Sequence, residues 1–261
     1  MLKQVEFLIR GSLLPSTIGQ LQVCERFVLE QVFGENESAA IAYFGVEDAP
    51  DYFITASSYV DFFLLLNALL TGRPATYRSG IGTTISALDE LGRRRVSFTN
   101  YRKVTVLDED MGSILSESIL LTKERFLHLE KDMQRIMDEQ LGLALRYYYN
   151  AVQASSRMQV EVVIDLAIAA EALFSTGGNY KSNLKRRLSS FIEPDELKRE
   201  EMAKQIGKFY DLRGAIVHGG RKEIPLVDVR IAGEYIRKAL DKALSSKLYT
   251  KEDLLQEADK P

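Results

Sequence analysis

Arg213 and His218 are the two residues of this 261-residue chain whose types and spacing most directly suggest chemistry. They stand in the run Tyr210-Asp211-Leu212-Arg213-Gly214-Ala215-Ile216-Val217-His218-Gly219-Gly220, which reads as a helix end stopped by paired glycines. A guanidinium is always charged and grips phosphate oxygens through a planar fork. An imidazole serves as base or acid near neutral pH. RNA cleavage by its own 2′-hydroxyl needs a base for that hydroxyl, an acid for the leaving 5′-oxygen and a cation for the charged phosphorane. Arginine and histidine supply all three without a metal.

The spacing adds a constraint. Five residues at about 100° each leave the two side chains about 140° apart and about 7.5 Å along an ideal helix. One regular helix would not bring both onto one small group. A twofold axis beside the helix end would gather two copies of each in one cleft, so a catalytic pair predicts a homodimer.

Other residues are candidates to support the pair. Glu171 borders a strongly apolar helix face and reads either as a partner that orients Arg213 or as an ion pair of the bundle. Asp211 reads as an assistant to the site or as a solvated charge. Between residues 179 and 222 there are 11 Lys/Arg against 6 Asp/Glu, although the whole chain carries a net charge of −3. Lys181, Lys185, Arg186, Arg187, Arg221 and Lys222 are therefore candidate RNA contacts, with a solvated helix face as the alternative. Tyr210 reads as packing, His128 as structural or exposed, and Tyr147-Tyr148-Tyr149 as core or dimer interface in preference to a base-stacking platform.

The elements that must position these residues fall into two halves. Residues 1–107 read as an α+β domain: strands over 5–8, 26–32 and 39–44, a buried helix over 59–70, and one or two strands over 93–106. This half shows no catalytic constellation. Gly80-Ile81-Gly82 lacks both the spacing and the lysine of a phosphate loop. Residues 113–247 read as an all-α bundle of four to five helices. Within it an amphipathic stripe runs through Phe126, Leu129, Met133 and Ile136, with a break near Gly142. A helix over 159–174 buries Val162, Val163, Leu166, Ala169, Ala170 and Leu173. A basic helix follows, then the helix that turns Ile206, Phe209 and Ile216 inward, then a last helix with Ile231, Tyr235, Ala239 and Ala243 on its stripe. Residues 248–261 read as a mobile tail.

Composition narrows the class. One cysteine and two histidines leave no basis for a disulfide framework, a metal centre or a bound cofactor. The apolar run over 59–70 contains Asp61 and Asn67 and is too short to span a bilayer. With no leader pattern, the expectation is a cytoplasmic protein without a membrane partner.

The segment Leu166-Ala167-Ile168-Ala169-Ala170-Glu171-Ala172-Leu173-Phe174, the basic helix after it, and Phe209-Tyr210-Asp211-Leu212-Arg213 leading to Ile216-Val217-His218-Gly219 together resemble the HEPN superfamily, in particular its Apea-like branch. The resemblance covers about residues 115–247. It implies a HEPN-like helical bundle that pairs as a homodimer and acts as a metal-independent endoribonuclease on single-stranded RNA, in toxin–antitoxin, phage-defence or RNA-processing settings. It also admits an antitoxin or regulatory protein as a partner. Arg213 and His218 match the family's motif residues, while Gly214 stands where the family commonly carries Asn, Asp or His. The rival reading is a non-catalytic HEPN module that binds RNA, a nucleotide or a protein.

Overall fold

The computed structural model describes residues 3–10, 20–25, 27–33, 38–46, 52–72, 77–78, 87–88, 94–95, 116–154, 159–177, 180–219 and 223–260. The chain divides into two compact units, residues 1–130 and 131–261.

The first unit is α+β. Strands β1 (Lys3–Arg10), β2 (Gln20–Cys24), β3 (Phe27–Phe33), β4 (Ser38–Val46) and β5 (Tyr77–Arg78) form one sheet in the order β2-β3-β4-β1-β5. Its described pairings are antiparallel, with Val5 opposite Phe44 and Phe44 opposite Phe27. Three of these strands fall where β-branched and aromatic runs place them. A second, two-stranded sheet pairs β6 (Ala87–Leu88) with β7 (Arg94–Arg95). The expected strand region thus begins at Arg94, and its continuation over 96–106 lies outside the described residues.

Helix α1 (Tyr52–Thr71) starts about two turns before the apolar run that marks it. Gly72 ends it in the left-handed region at φ 65, its N–H donating to the Ala68 carbonyl at 2.8 Å, as a C-terminal glycine does. Among the described residues no helix is long and apolar enough to cross a membrane.

Helix α2 (Ser116–Leu129) belongs to this first unit, which corrects the boundary expected at residues 107–113. Its Phe126 is fully buried against Tyr59, Phe62 and Phe63 of α1 and Phe27 of β3, with centroids 5.8–6.0 Å apart. An apolar stripe announces burial but does not say against which partner, and here the stripe divides. Phe126 and Leu129 serve the first unit. Met133 and Ile136, beyond a 3-10 turn at Glu130–Asp132, serve the second.

The second unit is helical: α3 (Met133–Asp138), α4 (Gln140–Ala154), α5 (Gln159–Phe174), α6 (Tyr180–Ile192), α7 (Glu196–Val217), α8 (Leu226–Ser245) and α9 (Lys251–Ala258). Five of these are long, and α3 and α9 are short additions. The break expected near Gly142 falls at Glu139, whose extended backbone separates α3 from α4. Gly142 makes that corner possible, because a Cβ there would overlap the backbone of Ile136 and Met137. All six apolar residues expected to face inward from α5 are buried, as are Ile206 and Phe209 of α7, while Ile216 is half-buried. Asp195 caps α7 by accepting from the Lys198 N–H at 3.0 Å. Of the stripe expected on α8, Ala239 and Ala243 are buried and Ile231 and Tyr235 half-buried; the buried face also takes in Val229, Ala232, Ile236, Leu240 and Leu244.

Residues 248–261 are not a loose tail. Helix α8 closes on Lys247 at φ 56, with Leu248 N–H donating to Ala243 and Lys247 N–H to Leu244, the paired bonds of a Schellman end. Tyr249 is then buried, its hydroxyl donating to Asp132 at 2.8 Å. Thr250 caps α9, and Leu254 and Ala258 are buried. The polar surroundings of these few apolar residues concealed the helix from pattern reading. Leu254→Ala should lower unfolding stability by about 2–5 kcal/mol, the range for deleting a buried leucine side chain. Chemical denaturation measures this, and a loss below about 0.5 kcal/mol, the scale of surface changes, would show that α9 is not part of the packed unit.

Candidate functional site

The carboxyl end of α5 and the second half of α7 face each other. Helix α5 buries Ala170, Ala172, Leu173 and Phe174, which leaves Glu171 at the edge of its apolar surface, only 26 % exposed. Helix α7 buries Phe209 and Leu212. Tyr210 and Arg213, three apart and so neighbours on the helix surface, lie at the margin of that buried face.

Three side chains meet there. The Tyr210 hydroxyl donates to Glu171 Oε1 at 2.5 Å. Arg213 Nη2 stands 3.7 Å from the same oxygen, beyond ordinary hydrogen-bond reach. The guanidinium carbon is 5.7 Å from the centroid of the Tyr210 ring, within cation–π range. Arg213 Nε is buried without an acceptor. Burial, followed by the hydrogen bond to Glu171, pushes the Tyr210 phenol up to about 12, so it remains a donor throughout the neutral range. Lys251 of α9 approaches the backbone of the same residue, its Nζ donating to the Glu171 carbonyl at 3.4 Å. Burial, and then Arg187 nearby, hold that ammonium below the ordinary lysine range.

His218 is the C-cap of α7. Its N–H donates to the Gly214 carbonyl at 3.1 Å, and Gly219 follows at φ 72. The imidazole is exposed, and no side-chain partner for it is found among the described residues. Arg213 is held by Glu171 and Tyr210, and no contact joins it to His218. A Cβ added to Gly214 would meet nothing within 4 Å, so that face of α7 is open.

The supporting residues separate. Glu171 faces Arg213 at 3.7 Å, a pairing that both of its expected roles share. Asp211 instead pairs with Lys181 at 2.5 Å, both well exposed. Arg186 and Arg187 both pair with Asp259, the residue that caps the end of α9, at 2.7 and 3.1 Å. Arg187 is only 13 % exposed and also donates to the Phe174 carbonyl at 3.2 Å and Thr176 Oγ1 at 2.7 Å. It fastens the end of α5 and is not a free surface charge. Lys181 and Lys185 lay their stems over Gly207 of α7. Arg221 and Lys222 lie outside the described residues.

Among the remaining candidates, His128 is exposed on α2, and Tyr148 is buried between half-buried Tyr147 and Tyr149. Burial raises the Tyr148 phenol to about 12, in keeping with a packing role. Among the described residues no group of three or more His, Cys, Asp or Glu side chains is arranged to hold a metal ion. Two contributors were missed in the sequence. Tyr210 was read as packing, although its three-residue offset from Arg213 was the available signal. Lys251 was hidden because its helix was read as tail. Comparison with protein-family models, with curated proteins and with solved structures returns no match.

Two outcomes separate the roles of these cations. Arg187→Gln should cost about 1–3 kcal/mol of stability, as for lost hydrogen bonds from a charged group. Lys185→Gln should stay within about 0.5 kcal/mol. Equal small losses in urea titrations would return Arg187 to the surface set. The second outcome concerns pH. The hydrogen bond from Arg187, with further help from Arg186, holds the Asp259 carboxyl below its ordinary 3.8. A depressed carboxyl adds stability above its unfolded pKa and loses it as pH falls through the lower folded value. The stability difference between the native chain and Asp259→Asn should therefore be constant above about pH 5 and shrink below about pH 4. A difference that grows on acidification would contradict the pairing.

Proposed function

We propose that this chain is a HEPN-type, metal-independent endoribonuclease that cleaves single-stranded RNA as a homodimer, with Arg213 and His218 as its catalytic residues. The observation that carries the reading is the state of Arg213. Its guanidinium lies 3.7 Å from the Glu171 carboxylate, beyond ordinary hydrogen-bond reach, and the side chain is 31 % exposed. A phosphodiester oxygen is the acceptor that suits a guanidinium fork.

In the proposed reaction a 2′-hydroxyl gives its proton to one imidazole and attacks the adjacent phosphorus. The bond from phosphorus to the 5′-oxygen breaks, and that oxygen takes a proton from a second imidazole. A 2′,3′-cyclic phosphate and a 5′-hydroxyl remain. Exposed His218 at the end of α7 can serve either step, and a twofold pair of chains supplies one imidazole for each. The setting in toxin–antitoxin or phage-defence systems, an antitoxin partner and a cytoplasmic location belong to the same proposal.

A second reading, a non-catalytic HEPN module that binds RNA, a nucleotide or a protein, is favoured by a different observation. Lys181, Arg186 and Arg187 are already paired with carboxylates, which lowers their capacity for phosphate and so favours the protein-binding form of that module. Labelled single-stranded RNA separates the two. On the catalytic reading cleavage persists in EDTA, leaves cyclic phosphate ends, and falls at least about a hundredfold in both Arg213→Ala and His218→Ala. Cleavage indifferent to both substitutions overturns the assignment. RNA retained but never cut transfers the case to the binding module.

A further inference from the structure

A carboxylate facing an arginine across two helices normally closes into a two-point fork, which neutralises the cation and occupies its donors. Glu171 and Arg213 do not close. Glu171 Oε1 accepts from the Tyr210 hydroxyl at 2.5 Å, while Arg213 Nη2 stays at 3.7 Å from that oxygen. The Tyr210 ring lies 5.7 Å from the guanidinium carbon, so the same side chain that holds the carboxylate also steadies the cation. The Arg213 side chain remains 31 % exposed.

We propose that Tyr210 is a positioning residue: by occupying Glu171 Oε1 it keeps the Arg213 guanidinium in place yet open to a phosphodiester of RNA. This rests on the reading of Arg213 as the phosphate-holding group. Glu171 supplies the attraction that keeps the arginine at the cleft, and the phenol limits how far that attraction goes. Without the hydroxyl, Oε1 is released and the carboxylate folds onto Arg213. The fork then competes with phosphate for the same donors. With glutamine at 171 there is no charged fork to form, so the hydroxyl has nothing to prevent.

The test is a double-mutant cycle read by binding. The probe is a short, fluorescently labelled single strand of 2′-O-methyl RNA, which presents phosphodiesters but cannot be cut. Tyr210→Phe keeps the ring and its packing, and circular dichroism should show it fully folded at the assay temperature. Its affinity for the probe should fall about tenfold, the scale of one charge-assisted hydrogen bond. In a Glu171→Gln background the same substitution should change affinity by less than about twofold, because coupled neighbours are non-additive. Equal losses in both backgrounds, or no loss in either, overturn the role of Tyr210. If Arg213→Ala still weakens binding in that case, the reading of Arg213 stands without it. Native-like binding by Arg213→Ala, or no binding by the native chain, overturns that reading and this inference with it.

Discussion

The carboxyl end of α5 finishes inside the helical unit, and the polar groups around it follow from that. Phe174 is buried and Ser175 nearly so, yet the last carbonyls of a helix have no acceptor role left within the helix itself. Water does not solve the problem at a buried end. Arg187 of α6 donates to the Phe174 carbonyl, and Lys251 of α9 adds a second, longer bond to the Glu171 carbonyl, which already accepts from the Ser175 N–H, where the helix dipole also favours positive charge. Helices α6 and α9 are thus fixed to α5 by the same requirement, and Asp259 ties them to each other through Arg186 and Arg187. Glu171 belongs to this last turn, so its position at the cleft is set by how α5 ends.

This changes what the basic segment can do. A count of lysines and arginines between residues 179 and 222 treats them as one positive field. In the structure they divide by partner. Arg187 is structural, Arg186 shares its carboxylate, and Lys181 is bound to Asp211. Arg213 sits over a tyrosine and beside a carboxylate it does not touch closely.

What the sequence made legible follows from which signals are local. The inward face of α5, the cap and glycine stop of α7, and the placing of Arg213 and His218 at its carboxyl end depend on residues within a few positions of one another. So do three strands of the first unit, where β-branched and aromatic residues cluster. The remainder depends on partners distant in the chain. Phe126 carries the same helical period as Met133, and only Phe27, Phe62 and Phe63 reveal that it serves the other unit. Helix α9 owes its place to two buried residues and to carboxylate Asp259 meeting arginines 72 and 73 positions earlier. The buried face of α8 keeps Ala239 and Ala243 of the expected stripe and widens to the adjoining row of Val229, Ala232, Ile236, Leu240 and Leu244, because its neighbours, and not its own period, decide how much of the helix is covered. Tyr210 looked like core since a tyrosine among Phe209 and Leu212 carries no mark of where its hydroxyl ends.

The direction of the two motif side chains bears on how a reaction would use them. Arg213 shares a row with Tyr210 and is drawn toward α5. Gly214, Val217 and His218 form the adjoining row at spacings of three and four, and that row is open: nothing lies within 4 Å of a Cβ built on Gly214, Val217 is 52 % exposed, and the imidazole is exposed. Leu226 and Val227 at the start of α8 are exposed as well. The helix therefore offers its cation on one side and its proton carrier on another, as the five-residue spacing requires. Under the proposed reaction a second copy laid across that row would bring its own His218 to the same phosphate. Gly214 fits such an arrangement, because a side chain at that position would project into the space a partner helix needs.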